Sequence, residues 1–330
     1  MSGTRLNLKN PIRDAITRLR FAPTSNNLLI SSWDSTLRLY DVDGSKLRGE
    51  FESDFPLLDC CFGDEGEAYA AGSDGSVCRF DLRSGDYSSI GKHDSLASCS
   101  EYSDETSLVI TGGWDRKVMH WDSRATQSFQ HSITLDSEVD SISICGLGLV
   151  VSTGASVHVY DFRNIGEPID SYSRLRIKCV RSIPYLKGFA MGSIDGRVTL
   201  HLPYMSNTEK TGYAFRCHPK SINGKHHLVS VNDISFNPFI SSTFVTGDNL
   251  GHVIAWDARS RKRLLELPRY PNSVASLSYN HVGELLAVAS SYTYQEANEI
   301  EDPPQIFIQE LSERYIKSVS SRVDAAKSDR

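Results

Sequence analysis

Apolar residues fall in short alternating runs divided by polar turns, a period-two pattern that predicts β-strands. In Ser31–Asp41, SSWDSTLRLYD, a tight polar turn (Trp33, Asp34, Ser35, Thr36) runs into an alternating strand that ends in an aromatic followed by Asp. The phrase returns as GSDGSVCRFD, GGWDRKVMHWD, STGASVHVYD and GDNLGHVIAWD, closing at Asp81, Asp122, Asp161 and Asp257. A further copy, GSIDGRVTLHL, stops at Leu202 without the Asp. The first five closings, Asp41 to Leu202, are spaced 40, 41, 39 and 41 residues apart. Ahead of each phrase lie two more apolar runs, such as Ile16–Phe21 and Leu28–Ile30, which predict the first two strands of a repeated sheet.

A period of roughly 40–45 residues, four strands per unit, closing in aromatic-Asp, is the mark of a WD-repeat β-propeller. A chain of 330 residues has room for seven units. The expected fold is therefore all-β, a single seven-bladed WD-repeat propeller over residues 1–311, closed by an N-terminal strand at about 5–10 where Leu6 and Leu8 alternate with polar neighbours. Closure removes exposed sheet edges. Leu202 to Asp257 is 55 residues, too many for one unit, and predicts an inserted loop at about 203–225. Gln295–Pro304 predicts a mobile acidic loop, and 312–330 a polar C-terminal tail. Asp34, Asp74, Asp115 and Asp195 recur at one turn position and are read as structural carboxylates that cap their hairpins. In the sixth unit Leu250 takes that place, which predicts a weaker turn.

Net charge of −6 argues against a general nucleic-acid or anionic-membrane binder. Seven cysteines with no C-x-x-C pair support neither a disulfide framework nor a zinc site. The start, MSGTRLNLKN, has no apolar core of a secretory signal, so a nuclear or cytosolic protein is expected. No phosphate loop, nucleophile motif or metal spacing stands out. The chain reads as a non-enzyme with no cofactor and no metal.

What remains is the surface of the turns. Trp33 and Trp114 stand where other turns carry Ser73 or Ile194, and large aromatics anchor interfaces. Arg197 follows the Asp195-Gly196 turn, Lys178 precedes the inner strand of the same unit, and Arg216 falls in the predicted insertion. Three such cations beside one unit suggest an anion site.

SSWDSTLRLYD, LLDCCF (57–62), GGWD (112–115), GSIDGRV (192–198), YAFRCH (213–218), RYPNSVASLSYN (269–280) and VASSYTYQE (288–296) together carry a family likeness. Over nearly its whole length the chain resembles the spindle-assembly-checkpoint WD-repeat family, budding uninhibited by benzimidazoles three. A neighbouring family is the messenger-RNA-export propeller. The resemblance implies an adaptor that grips a GLEBS segment of the checkpoint kinase or its pseudokinase-like sister. It also implies reading of phosphothreonine in MELT repeats of the kinetochore scaffold. Trp33 and Trp114 match the GLEBS-contacting tryptophans, and Arg197 and Arg216 the phosphothreonine-reading arginines. Lys178 stands where relatives have a third arginine, keeping the charge but losing the planar fork. The resemblance further implies a monomer within hetero-complexes, in the nucleus and cytoplasm and at kinetochores in mitosis. A second expectation comes from Trp256, Asp257 and Arg259, which resemble the Trp-Asp-x-Arg box that docks some propellers on the damage-binding adaptor of cullin ubiquitin ligases.

Overall fold

The first repeat folds into strands Ile16–Phe21, Asn27–Ser32, Thr36–Asp41 and Lys46–Glu52, paired antiparallel in chain order. Its first three strands are buried almost throughout, because a neighbouring blade covers each face, while the outer strand reaches solvent. The computed structural model describes residues 3–125, 128–173, 176–185, 188–201, 212–217, 221–222, 225–226, 229–240, 242–293 and 302–311. Seven such four-stranded sheets occur among them, together with a two-stranded hairpin, Ser221–Ile222 with Lys225–His226. Each inner strand touches the inner strands of the blades before and after it, so the sheets close into a ring.

The seam is made by the chain's beginning. Thr4–Arg5 is the outermost strand of blade seven, pairing Thr4 with Ile308 and Arg5 with Phe307. It is earlier and shorter than the stretch expected at 5–10. Leu6 N still bonds Ile306 O at 2.8 Å, and the next strand begins only at Ile16. Leu6 and Leu8 instead pack against the core between blades seven and one.

The expected insertion at 203–225 also changes. Gly212–Arg216 is the fourth strand of blade five, paired along Arg197–His201. The reason lies in its own alternation: Tyr213 and Phe215 pack on the blade-five and blade-six core, with Phe215 against the Trp256 ring at 5.0 Å, while Ala214 and Arg216 face out. The rest of that interval (203–211, 218–220 and 223–224), most of the acidic loop (295–301) and the tail 312–330 lie outside the described residues.

Candidate functional site

Every inner strand is entered from the same rim of the ring, so the turn between second and third strands returns to that rim. Backbone bonds fasten each turn to the connector that feeds its own blade: Trp33 N to Ala15 O at 2.8 Å, Trp114 N to Leu96 O at 3.0 Å and Ile194 N to Arg176 O at 3.2 Å. Trp33 and Trp114 begin such turns, Arg197 starts a third strand, Arg216 ends a fourth, and Lys178 is second in an inner strand. All five therefore sit on one face.

The two indoles are 38% and 52% exposed, on blades one and three. Their turns share a further trait. The left-handed position is glycine in blades two, five and six (Gly75, Gly196, Gly251), but Ser35 (φ 62°) and Arg116 (φ 64°) under the tryptophans. A side chain there costs roughly 1–2 kcal/mol, and a buried anchor beneath each turn holds it. In blade one Asp34 takes Arg38 Nη2 at 2.8 Å, Arg38 Nη1 at 3.1 Å and Ser32 Oγ at 2.6 Å. Burial disfavours its charge, yet these bonds keep its carboxyl below the ordinary value. In blade three the anchor is a relay. Trp121 Nε1, a donor only, bonds Thr111 Oγ1 at 2.8 Å, and Thr111 meets His93 Nε2 at 2.8 Å. His93 Nδ1 then faces Asp115 Oδ1 at 3.0 Å, which assigns its proton to Nδ1. Burial holds this imidazole below its ordinary pKa although Asp115 pulls the other way.

Blades four and six depart from the repeated carboxylate. Blade six keeps one two residues early: Asp248 accepts from Leu250 N at 2.9 Å and His252 N at 2.8 Å, and its second oxygen meets His252 Nδ1 at 3.0 Å. The expected weak turn is thus capped. Blade four borrows its carboxylate, Asp140 Oδ2 accepting from Gly154 N at 2.7 Å.

On blade five Arg197 and Arg216 are direct cross-strand partners. Asp195 Oδ2 lies 3.0 Å from Arg197 Nε and 3.6 Å from Arg216 Nη2, and Arg216 Nη1 donates to Asp195 O at 2.6 Å. Both guanidiniums stay open to water, their side chains 52% and 32% exposed. Lys178 is exposed on the same blade, and the carboxylate it acts on is Asp140 of the blade-four connector. The structure thus joins two of the three cations as a pair, with the third toward blade four. Asp74 completes the turn set, bonded by Ser76 N at 2.9 Å, Ser76 Oγ at 2.7 Å and Lys92 Nζ at 3.0 Å.

Trp256, Asp257 and Arg259 belong to the opposite face. Trp256 is buried and donates to Thr246 Oγ1 at 3.0 Å. Asp257 caps its hairpin, accepting from Arg259 N at 3.1 Å and Ser260 N at 3.2 Å. Arg259 alone of the three is exposed. That face also holds a feature the sequence did not reveal, a cavity of about 890 Å³ between blades four and five, with Leu147, Ile169 and Tyr185 exposed at it.

A second unforeseen cluster lines the central channel. Asp233 takes Arg181 Nη2 at 2.6 Å, Arg18 Nη1 at 3.2 Å and the Leu277 amide at 2.9 Å. Arg18 Nε reaches Asp59 Oδ1 at 3.3 Å, and Arg20 pairs with Glu101. Burial opposes both charges, but the arginines hold Asp233 below its ordinary pKa while Asp59 ends above it. The repeat itself was the available signal. One period of 41 from Arg18 lands on Asp59, the next on Ser100, whose amide bonds Asp59 Oδ2 at 3.0 Å, and the next on Ser141, within 3.3 Å of Arg181.

The site is a face of turns held by hydrogen bonds beneath them, with no catalytic grouping among the described residues. Comparison with known proteins agrees with that architecture. The WD domain, G-beta repeat family matches residues 7–41 and 87–122. The chain is 50% identical to Mitotic checkpoint protein BUB3.3 of Arabidopsis thaliana over 94% of its own length and all of that protein. It is 33% identical to Mitotic checkpoint protein bub3 of Dictyostelium discoideum, covering 94% of this chain and 96% of that one. It is 27% identical to the Poly(A)+ RNA export protein of Schizosaccharomyces pombe, over 93% and 90%. Near end-to-end coverage at these identities, on a seven-bladed ring, shows that the chain belongs to the BUB3 family of mitotic checkpoint WD-repeat proteins.

Proposed function

We propose that this protein is a non-enzymatic adaptor of the spindle checkpoint, working at kinetochores in mitosis and otherwise in nucleus and cytoplasm as a monomer within hetero-complexes. Trp33 and Trp114 anchor a GLEBS segment of a checkpoint kinase or its pseudokinase-like sister. Arg197 and Arg216, with Lys178 beside them, receive the phosphothreonine of MELT repeats in the kinetochore scaffold. The observation that carries the reading is one rim bearing two half-exposed indoles and a solvent-facing arginine pair. Exposed indoles fixed on buried anchors lose little freedom on binding, which is what makes such residues dominate interfaces. A threonine phosphate brings about −1.5 to −2 charges at neutral pH and several acceptors, whereas threonine brings no charge. Phosphorylation is therefore the switch.

Titration of a phosphorylated MELT peptide against Arg197→Glu protein tests the cation half, and undiminished affinity removes the arginines from the mechanism. A GLEBS fragment that still co-purifies with Trp33→Ala, Trp114→Ala protein removes the indoles. The ligase-adaptor reading rests on Arg259 and uses the opposite face, so both roles fit one ring. Pull-down of the damage-binding adaptor, lost in Arg259→Ala, tests it. The likeness to a Poly(A)+ RNA export protein supports the messenger-RNA-export alternative.

A further inference from the structure

We infer that the Asp195 carboxylate is a built-in counter-anion of the phosphothreonine site, a specificity-determining residue that keeps its grip on phosphate weak and reversible. The inference rests on the phosphothreonine reading above. Arg197 and Arg216 face each other directly across the two outer strands of blade five, an arrangement that is repulsive by itself. Asp195 relieves it, its Oδ2 lying 3.0 Å from Arg197 Nε and 3.6 Å from Arg216 Nη2. Its Oδ1 is held in turn by Ser193 Oγ at 2.5 Å. Among the described residues, the terminal nitrogens of Arg197 donate no hydrogen bond, so its half-exposed fork is available to take a phosphate bidentately.

Among the turn carboxylates only Asp195 serves two exposed cations, whereas Asp74 meets one, Lys92 Nζ at 3.0 Å. Asp34 pairs with Arg38, whose side chain is 4% exposed, and Asp115 with His93, whose side chain is fully buried. Those carboxylates are spent on the core. Asp195 is spent on two cations open to water.

Two effects oppose each other. Asp195 orients the arginines, which favours binding; it also cancels one of the pair's two positive charges, which leaves +1 from the pair with Lys178 beside it. Orienting half-exposed side chains is a small gain. Removing one unit of positive charge weakens the attraction felt by a guest with about two charges by more than that, so the second effect wins. At about 5 Å in water, one unit charge acting on such a phosphate corresponds to about a tenfold change in affinity.

The experiment titrates a phosphothreonine MELT peptide and its unphosphorylated form against wild type, Asp195→Asn, Asp195→Glu and, as a turn-carboxylate control, Asp74→Asn. The expected result is phosphopeptide binding about tenfold tighter in Asp195→Asn, with steeper salt dependence and no change for the unphosphorylated peptide. Asp195→Glu and Asp74→Asn stay close to wild type. A folded Asp195→Asn protein that binds the phosphopeptide equally or more weakly overturns the inference while leaving the site intact. If Asp195→Asn does not fold, Asp195→Ser is judged by the same criterion. Failure of wild type to bind the phosphopeptide removes the phosphothreonine reading, and this inference with it.

Discussion

In the central channel Asp233, its side chain 1% exposed, is wrapped by Arg18, Arg181 and backbone amides; on the blade-five rim Asp195, 23% exposed, meets Arg197 and Arg216, whose side chains are 52% and 32% exposed. The partners are chemically alike and only burial differs. In the channel the charges hold each other because nothing else can, and removing one strands the others in a low dielectric. At the rim water already satisfies each group, so the pairing contributes little to the fold and the cations remain free to change partner. An ion cluster is a brace where it is dry and a recognition surface where it is wet.

That contrast can be broken by mutation, and the largest effect belongs to the channel. Asp233→Ala is expected to lower unfolding free energy by about 3–5 kcal/mol, since it leaves Arg18 and Arg181 without their shared carboxylate. Urea denaturation measures it, and a loss below about 1 kcal/mol would mean the channel is wetter than its burial implies. Next comes the rim: Trp33→Ala and Trp114→Ala should each weaken GLEBS-peptide binding by about 2 kcal/mol or more. Stability should move by no more than about 0.5 kcal/mol. Calorimetric titration and denaturation on the same samples separate the two. Smaller again is Arg197→Ala, expected to cut phosphopeptide affinity while stability stays within about 0.5 kcal/mol of wild type.

The smallest effect sharpens the same lesson with histidines. His93 is buried and its pKa is lowered, chiefly by desolvation; His252 is partly exposed and its pKa is raised, chiefly by its bond to Asp248. His252 therefore adds stability that is full below the unfolded value of about 6.5 and disappears as pH rises through its folded pKa. His93 behaves oppositely, adding stability above about 6.5 that is lost as pH falls through its folded pKa. Denaturation from pH 5 to 8 should show His252→Gln losing up to about 1 kcal/mol at the acid end and almost nothing at the alkaline end. A loss that is flat with pH would mean the His252 bond carries no charge.

The repeat was legible because it is local. Aromatic-Asp closings and turn carboxylates recur within single hairpins, so Asp34, Asp74, Asp115 and Asp195 announce their own positions. The indoles could be singled out because Trp33 and Trp114 interrupt that regularity. Arg216 was harder, since the strand bearing it is short and half-exposed and its pattern is diluted by glycine and alanine. The channel was illegible residue by residue. Arg18, Asp59, Arg181 and Asp233 come from four different repeats, and each alone looks like a charge on a strand. Only the ring brings them together. The sixth turn misled for a related reason: Asp248 reaches forward from two positions earlier to do what the missing carboxylate does elsewhere.

The seam between Thr4–Arg5 and Gln305–Glu310 makes the wheel a clasp whose catch closes last. The segment that latches blade seven precedes all seven inner strands in the chain and pairs only with the final blade. Joining such distant stretches is slow, because the entropy of closing the whole circle is lost before any bond forms. The outer edge of blade seven is thus covered by a strand of two residues and the Leu6 bond, so pulling on the amino-terminal segment should strip that edge before any other.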